Sequence, residues 1–253
     1  ISSLLSRLEE VVQTHDTYMS KQLRRNGISL FHGRARFLND RTVDMQAVDG
    51  ARQQFTADYF VVATGSRPRN PAEIPVDHEH ILDSDSLLSM IYLPRSLAII
   101  GGGVIGCEYA SIFALLGVEV TLIDRAKSPL QFMDPELVSQ FVASFEQQGG
   151  HYLGGQSIQS VQWDGAAHVV TLLGDGRIIK SEKMLVALGR QANVEDLNLG
   201  AAGLEVNGKD SLSVNQYCQT TVPHIYAVGD MVGAPALASK AMEQGRRAVR
   251  HAL

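Results

Sequence analysis

Runs of apolar residues recur along the chain at 59–63, 96–100, 118–123, 184–188 and 221–228. Each is strand-length. A continuous apolar run bounded by turn residues predicts a strand buried on both faces, as in a parallel sheet. Glycines follow these runs at Gly65, Gly101, Gly189 and Gly229. Loops beyond the carboxyl ends of parallel strands are where α/β sheets hold ligands.

Helical patterns lie between the runs. Residues 2–25 read as a helix with Leu4, Leu5, Leu8, Val11 and Val12 on one face. An Ala/Leu-rich helix is predicted over 104–116, stopped by Gly117. Asp134-Pro135-Glu136 opens a helix running to about 148, because Asp caps free N–H groups and Pro suits the first helical position. A last helix follows Pro235, over 236–251. Residues 28–37 and 41–47 read as strands joined at Asn39-Asp40, with hairpin signals at Asp49-Gly50 and Gly174-Asp175-Gly176. Pro68, Pro71, Pro75 and Pro94 predict an extended, non-helical linker.

Composition then removes several classes of function. The 253 residues are 45% hydrophobic, enough for real cores, and carry a net charge of -5 with no basic run. Nucleic acid is therefore not an expected partner. No apolar run approaches a membrane span, so no membrane partner is expected either. Cys107 and Cys218 form neither a disulfide framework nor a zinc pattern, which points to a reducing cytoplasm. The chain opens inside a predicted helix without an initiator Met, and reads as a piece of a longer protein.

The sharpest chemical signal is Gly101-Gly102-Gly103-Val104-Ile105-Gly106, placed between a buried strand and a helix. A second strand follows and ends at Asp124, 18 positions beyond Gly106. Each part has a physical reason. Gly101 permits the tight turn, Gly103 lets a pyrophosphate approach the backbone, and Gly106 lets helix and strand pack closely. The helix start offers N–H groups and partial positive charge to phosphate. An ordinary βα turn is the alternative. Asp124 is placed to bond an adenosine ribose, favouring NAD, whereas Arg125 beside it suits a 2′-phosphate. Preference between NAD and NADP stays open on these residues. Glu108, in the first turn, reads by pattern alone as a surface acid complementing the helix dipole.

The segment 221–230 is the second signal. Asp230 ends a buried run and can bond a polyol or ribose, and Ala236, Leu237 and Ala238 offer amides at the next helix start. A plain turn aspartate is the alternative. Other features read as structural. Asp77-His78-Glu79-His80 lacks metal-binding helical spacing and reads as a solvated loop. Ser66 and Ser84 lack a nucleophile elbow, Cys107 reads as a small core residue, and Trp163 as hairpin packing.

Taken together, Ala-Thr-Gly-Ser-Arg-Pro at 63–68, the glycine motif through Phe113, Ala-Leu-Gly-Arg at 187–190 and the 221–230 segment resemble a two-dinucleotide flavoprotein family. This is the FAD/NAD-linked pyridine nucleotide-disulfide oxidoreductase family, which includes dihydrolipoamide dehydrogenase. Residues 82–86, 237–239 and 244–246 add a likeness to its NAD(P) transhydrogenase branch. The resemblance implies an α/β fold of two Rossmann-like dinucleotide-binding domains, with the NAD domain inserted in an incomplete FAD domain. Residues 1–92 would be the later part of the FAD domain, 93–211 the NAD(P) domain, and 212–253 the returning FAD segment.

It also implies roles. Gly33 and Ala35 would lie near the FAD adenine, and Ala63, Thr64 and Gly65 would meet FAD through the backbone. Asp230 would bond the ribityl or phosphate region, with Ala236, Leu237 and Ala238 under the flavin's pyrimidine edge. Gly101, Gly103, Val104, Ile105 and Gly106 would hold NAD(P), with Glu108 at its carboxamide, Asp124 and Arg125 at its adenosine, and Gly189 near the bound nucleotide. No residue of this chain is expected to be catalytic in its own right, and no metal is expected. The family's first FAD glycine motif, its Cys-x4-Cys pair and its dimerisation domain with a His-x4-Glu pair are not in this sequence. The implied activity is hydride transfer between nicotinamide dinucleotides through flavin, by an intact homodimer. A disulfide reductase and a non-catalytic NAD(P)-binding module are the alternatives. The isolated piece is expected to be inactive, binding NAD(P) but holding FAD poorly.

Overall fold

Successive residues of Ser96–Ile100 face opposite sides of a sheet, as the two-residue period of a strand requires. On one face Leu97 and Ile99 join Leu82, Val120, Leu122 and Leu185. The helix Val104–Leu115 covers them with Cys107, Ala110, Phe113 and Ala114, and Phe145 of the helix Pro135–Gln147 completes that core. On the other face Ala98 and Ile100 join Ile81, Ile123, Met184 and Val186. Val161, Val169 and Leu173 close this side from a three-stranded antiparallel sheet of Ile158–Trp163, Val169–Leu173 and Ile178–Ser181. Burial on both faces explains why these strands read as continuous apolar runs.

The computed structural model describes residues 2–208 and 210–253, with side chains from residue 6 onward. It gives a mixed α/β molecule with two units, one built on Pro68–Arg190 and the other on Leu8–Arg67 with Gln191–Leu253. The first holds a five-stranded parallel sheet in the order Ile81–Asp83, Lys183–Val186, Ser96–Ile100, Glu119–Ile123, His151–Leu153. From Ser96–Ile100 the chain moves to Glu119–Ile123 on one side, while Lys183–Val186 lies on the other. Strand order reverses there, and such a reversal opens a crevice at the carboxyl end of the strands.

The predicted linker over 68–94 is more ordered than its prolines suggest. Ile81–Asp83 is an edge strand paired with Met184–Val186, and Ser86–Ser89 forms a 3₁₀ turn. Three residues are too few to show a period, but Ile81 and Leu82 are each 1% exposed, which holds the segment to the sheet. The chain passes between units at Arg67/Pro68 and Arg190/Gln191. The boundaries expected from sequence were 92/93 and 211/212.

The second unit contains an antiparallel sheet of Gly33–Asn39, Thr42–Ala47 and Arg52–Thr56, and a parallel pair of Phe60–Val62 with Ile225–Ala227. Its core gathers Phe37, Val62, Leu197, Leu199, Leu204, Leu212, Ile225 and Met231. The strand expected from residue 28 begins instead at Gly33, where its partner ends at Ala47. The last helix begins at Ala238, two residues later than predicted, because Leu237 is extended. The helix Ser2–Arg25 forms as predicted, but Leu8, Val11 and Val12 on its apolar face are exposed; the side chains of Leu4 and Leu5 lie outside the described residues. Among the described residues no helix is long and apolar enough to cross a membrane.

Candidate functional site

The glycine loop follows the central strand of the parallel sheet. Gly101 has φ 108°, and a Cβ there would meet the Ala187 carbonyl oxygen at 2.4 Å. A Cβ on Gly106 would overlap the Gly101 carbonyl oxygen. These two glycines are demanded by the turn and by close helix–strand approach. Gly103 differs: nothing lies within 4 Å of its Cβ position, so its outer face is open. It precedes the helix Val104–Leu115 with no side-chain cap. The first N–H groups of that helix therefore have no intrahelical acceptor and face an open approach.

Glu108 is exposed on the same helix, and Gly189 is exposed beyond Lys183–Val186 with φ 97°. Arg190 Nη1 donates to Ser84 Oγ at 3.2 Å and lies 3.4 Å from Asp85 Oδ1. Burial, then the charges of Glu108 and Asp85, push the Tyr109 hydroxyl pKa upward. Cys107 is buried in the helix–sheet core, where burial pushes its thiol up to about 12, as suits a packing residue.

Asp124, expected at the adenosine of NAD(P), also meets the glycine loop. Its Oδ2 accepts from the Gly102 N–H at 2.6 Å and its Oδ1 from the Ala126 N–H at 2.9 Å. The carboxylate thus rests on the glycine loop itself. Arg125 is exposed beside it.

In the other unit, Gly33, Arg34, Ala35 and Thr64 line a cavity of about 620 Å³ with Arg67, Asn193, Glu195, Asp196 and Leu197. Thr64 Oγ1 donates to the Asn193 carbonyl at 2.7 Å, and Asn193 Nδ2 returns a bond to the Thr64 carbonyl at 2.9 Å. Arg67 grips Glu195 with two guanidinium nitrogens, at 2.9 and 2.5 Å. Paired to Arg67, Glu195 is held at about 2, far below the usual carboxylate range. Asn193 and Glu195 escaped the sequence reading. Their one signal was position, just after the apolar run that ends near Gly189.

Asp230 accepts from Ser66 Oγ at 2.7 Å, which ties it to the turn through Thr64 and Gly65. The Gly229 N–H donates to Gln244 Oε1 at 2.8 Å. Ala63 is exposed beside Thr64. Ala236, Leu237 and Ala238 are exposed at the start of the last helix and do not line the 620 Å³ cavity. The Asp77 to His80 segment is an exposed loop, as expected, and it is pinned by hydrogen bonds. Asp77 Oδ1 accepts from the N–H groups of Glu79, His80 and Ile81, and His80 stacks on Trp163 at 3.7 Å. Among the described residues no group of three or more His, Cys, Asp or Glu is arranged to hold a metal ion.

A strand–glycine–helix loop at a strand-order reversal defines a nucleotide-binding α/β class, and the other unit has a cavity of its own. The chain belongs to the pyridine nucleotide-disulphide oxidoreductase family, whose model matches residues 2–245. It is 40% identical over 99% of its length to a protein of Mycobacterium bovis named soluble pyridine nucleotide transhydrogenase. It is 39% identical over 97% of its length to one of the same name from Vibrio atlanticus. The chain spans about half of these relatives, 54% and 52% respectively. The crystal structure of LpdA from Mycobacterium tuberculosis superposes with a TM-score of 0.93 at 28% identity, covering 99% of this chain and 56% of that one.

Proposed function

We propose that this chain is the nucleotide-binding core of an FAD-dependent soluble transhydrogenase, which passes hydride from one nicotinamide dinucleotide to flavin and on to another. The observation that carries this reading is a 40% identity to named transhydrogenases across 99% of the chain. The loop fits a dinucleotide. Gly103 leaves room where a side chain would stand, and uncapped N–H groups of the helix start face that room. Gly101, Gly103, Val104, Ile105 and Gly106 hold the pyrophosphate in this reading. Glu108 orients the carboxamide, and Gly189 lies beside the nucleotide.

On the flavin side, Gly33 and Ala35 border the cavity that takes the adenine, and Thr64 stands at its edge. Ala63, Thr64 and Gly65 meet flavin dinucleotide through the backbone in this reading, Asp230 anchors the ribityl or phosphate region, and Ala236 to Ala238 receive the ring edge. When bound, flavin and nicotinamide supply the redox chemistry. The protein's residues bind, orient and exclude water. In this reading two Rossmann-like domains are present, residues 93–211 inserted into an FAD domain formed by 1–92 and 212–253. The intact protein would be a cytoplasmic homodimer. A disulfide reductase stays the alternative, and a Cys-x4-Cys pair elsewhere in the intact protein would identify it; the two cysteines of this chain are each buried and form no such pair.

Titration of the chain with NADH and NADPH, read by nucleotide fluorescence, tests the proposal. Saturable binding of both, weakened about tenfold in a Gly103→Ala variant, is the expected result. Absence of binding by either nucleotide to a folded sample refutes it.

A further inference from the structure

Gly229–Val232 is a short 3₁₀ turn that carries Asp230, and Gly233 ends it. Gly229 and Gly233 have φ of 78° and 93°, so the turn is bounded by the two residues freest to change conformation. The helix Ala238–Ala252 holds it at both ends. Gln244 Oε1 accepts from the Gly229 N–H at 2.8 Å, and Lys240 Nζ donates to the Gly233 carbonyl at 2.7 Å. Lys240 and Gln244 are one helical turn apart, so they lie one above the other on the same face. Both are half-buried, while Ser239, Met242, Glu243 and Arg246 around them are exposed. Two side chains of one rigid element thus bracket the turn.

The middle of the turn is anchored as well. Met231 is fully buried, and its carbonyl accepts from the Leu212 N–H at 2.9 Å. The Gly233 N–H closes the turn on the Asp230 carbonyl at 3.0 Å. Asp230 is the one acid of the turn, and Ser66 Oγ donates to its Oδ2 at 2.7 Å. The carboxylate is therefore placed twice, by Ser66 at its side chain and by the last helix through the backbone on either side. A ligand gains affinity when the group that meets it is already held in place, because less ordering is left to do on binding.

Building on the flavin reading above, we propose that Gln244 and Lys240 are positioning residues for Asp230, holding its turn in the conformation that receives the ribityl or phosphate region of FAD. Both act through the backbone of the turn, not on the cofactor. Gln244 bonds the residue immediately before Asp230 and has the larger effect. Lys240 holds the far end.

FAD dissociation constants, read by flavin fluorescence, test this in the wild type, Gln244→Leu, Gln244→Glu, Lys240→Met, Asp230→Ala and Asp230→Ala/Gln244→Leu. Gln244→Leu keeps the bulk and removes the acceptor, so FAD weakens about tenfold. Gln244→Glu restores an acceptor one turn from a lysine and binds FAD within about threefold of the wild type. Lys240→Met weakens FAD about threefold. In the Asp230→Ala background, Gln244→Leu costs less than about twofold more, because the residue it positions is gone. NADH binding stays within about twofold throughout, which shows that the variants fold, since Gly101 to Gly106 belong to the other unit. Unchanged FAD affinity in Gln244→Leu or Lys240→Met, no rescue by Gln244→Glu, or additive effects with Asp230→Ala overturns the proposal. Hydrogen exchange of the FAD-free protein adds a readout independent of binding. The Gly229 amide exchanges about tenfold faster in Gln244→Leu than in the wild type or Gln244→Glu. Unchanged exchange overturns the positioning role. Should the wild type bind no FAD, the flavin reading fails, while Gly229 exchange still decides whether the helix holds the turn.

Discussion

Gly103 and Gly106 stand three positions apart in one motif, yet the structure gives them opposite reasons to be glycine. Gly106 faces the Gly101 carbonyl oxygen with no room for a methyl group. Gly106→Ala is expected to destabilise the protein by about 3 kcal/mol, since a backbone oxygen cannot move aside without unmaking the turn. Gly103 faces open space, with φ -79° that any residue adopts. Gly103→Ala is expected to cost under about 1 kcal/mol, the penalty of a poorer helix start. It should weaken nucleotide binding about tenfold, through loss of close phosphate contact. Urea unfolding and nucleotide titration of both variants separate the two roles, and equal stability losses would refute the distinction. The glycine spacing was legible in the sequence. The direction of the Asp124 side chain was not, because a pattern places a carboxylate at a strand end without saying which donors it meets.

The short strand Ile81–Asp83 shows how an element can be invisible in sequence yet firmly built. Asp83 ends it and is 5% exposed. Its Oδ1 accepts from the N–H groups of Asp85 and Ser86 and from Ser86 Oγ, while Oδ2 accepts from Asn70 at 3.0 Å. Burial alone would raise its pKa, but these bonds and nearby His78 hold it at about 2. The folded value is below the unfolded one, so this group's contribution is complete above the ordinary aspartate range. It is lost as pH falls through about 2. The contribution is about 2 kcal/mol. The stability gap between wild type and Asp83→Asn is therefore expected to narrow by that amount between about pH 5 and pH 2. Urea midpoints across that range check it, and a constant gap would contradict it. The longer parallel strands were readable because burial on both faces makes them uniformly apolar. Three residues among prolines carry no such signal, and their pairing with Met184–Val186 depends on residues a hundred positions away. The start of Gly33–Asn39 was misplaced for a related reason: the partner's end at Ala47, not local propensity, decides where pairing begins.

At the scale of the whole molecule, each unit has its own core, and the candidate residues divide cleanly between them. Gly101 to Gly106, Glu108, Asp124, Arg125 and Gly189 belong to the unit built on Pro68–Arg190. Gly33, Ala35, Ala63 to Gly65, Asp230 and Ala236 to Ala238 belong to the other. A ligand stabilises the structure it binds by RT ln(1 + [L]/Kd), about 2.7 kcal/mol at a hundredfold excess over Kd. Saturating NADH is therefore expected to slow hydrogen exchange at 101–106 and 124–130, with the cavity at Gly33 and Asn193 unchanged. FAD is expected to do the reverse, slowing exchange around Gly33, Thr64 to Ser66 and Asp230. Its protection should be weaker, because this chain has a single Gly-x-Gly-x-x-Gly motif and it lies in the unit built on Pro68–Arg190. For the same reason flavin should be largely lost on gel filtration. A stoichiometrically yellow sample after that step would show that the cavity at Gly33 and the Ser66–Asp230 pair hold flavin without a pyrophosphate loop. NADH protection confined to the second unit would assign the two nucleotide sites the other way round.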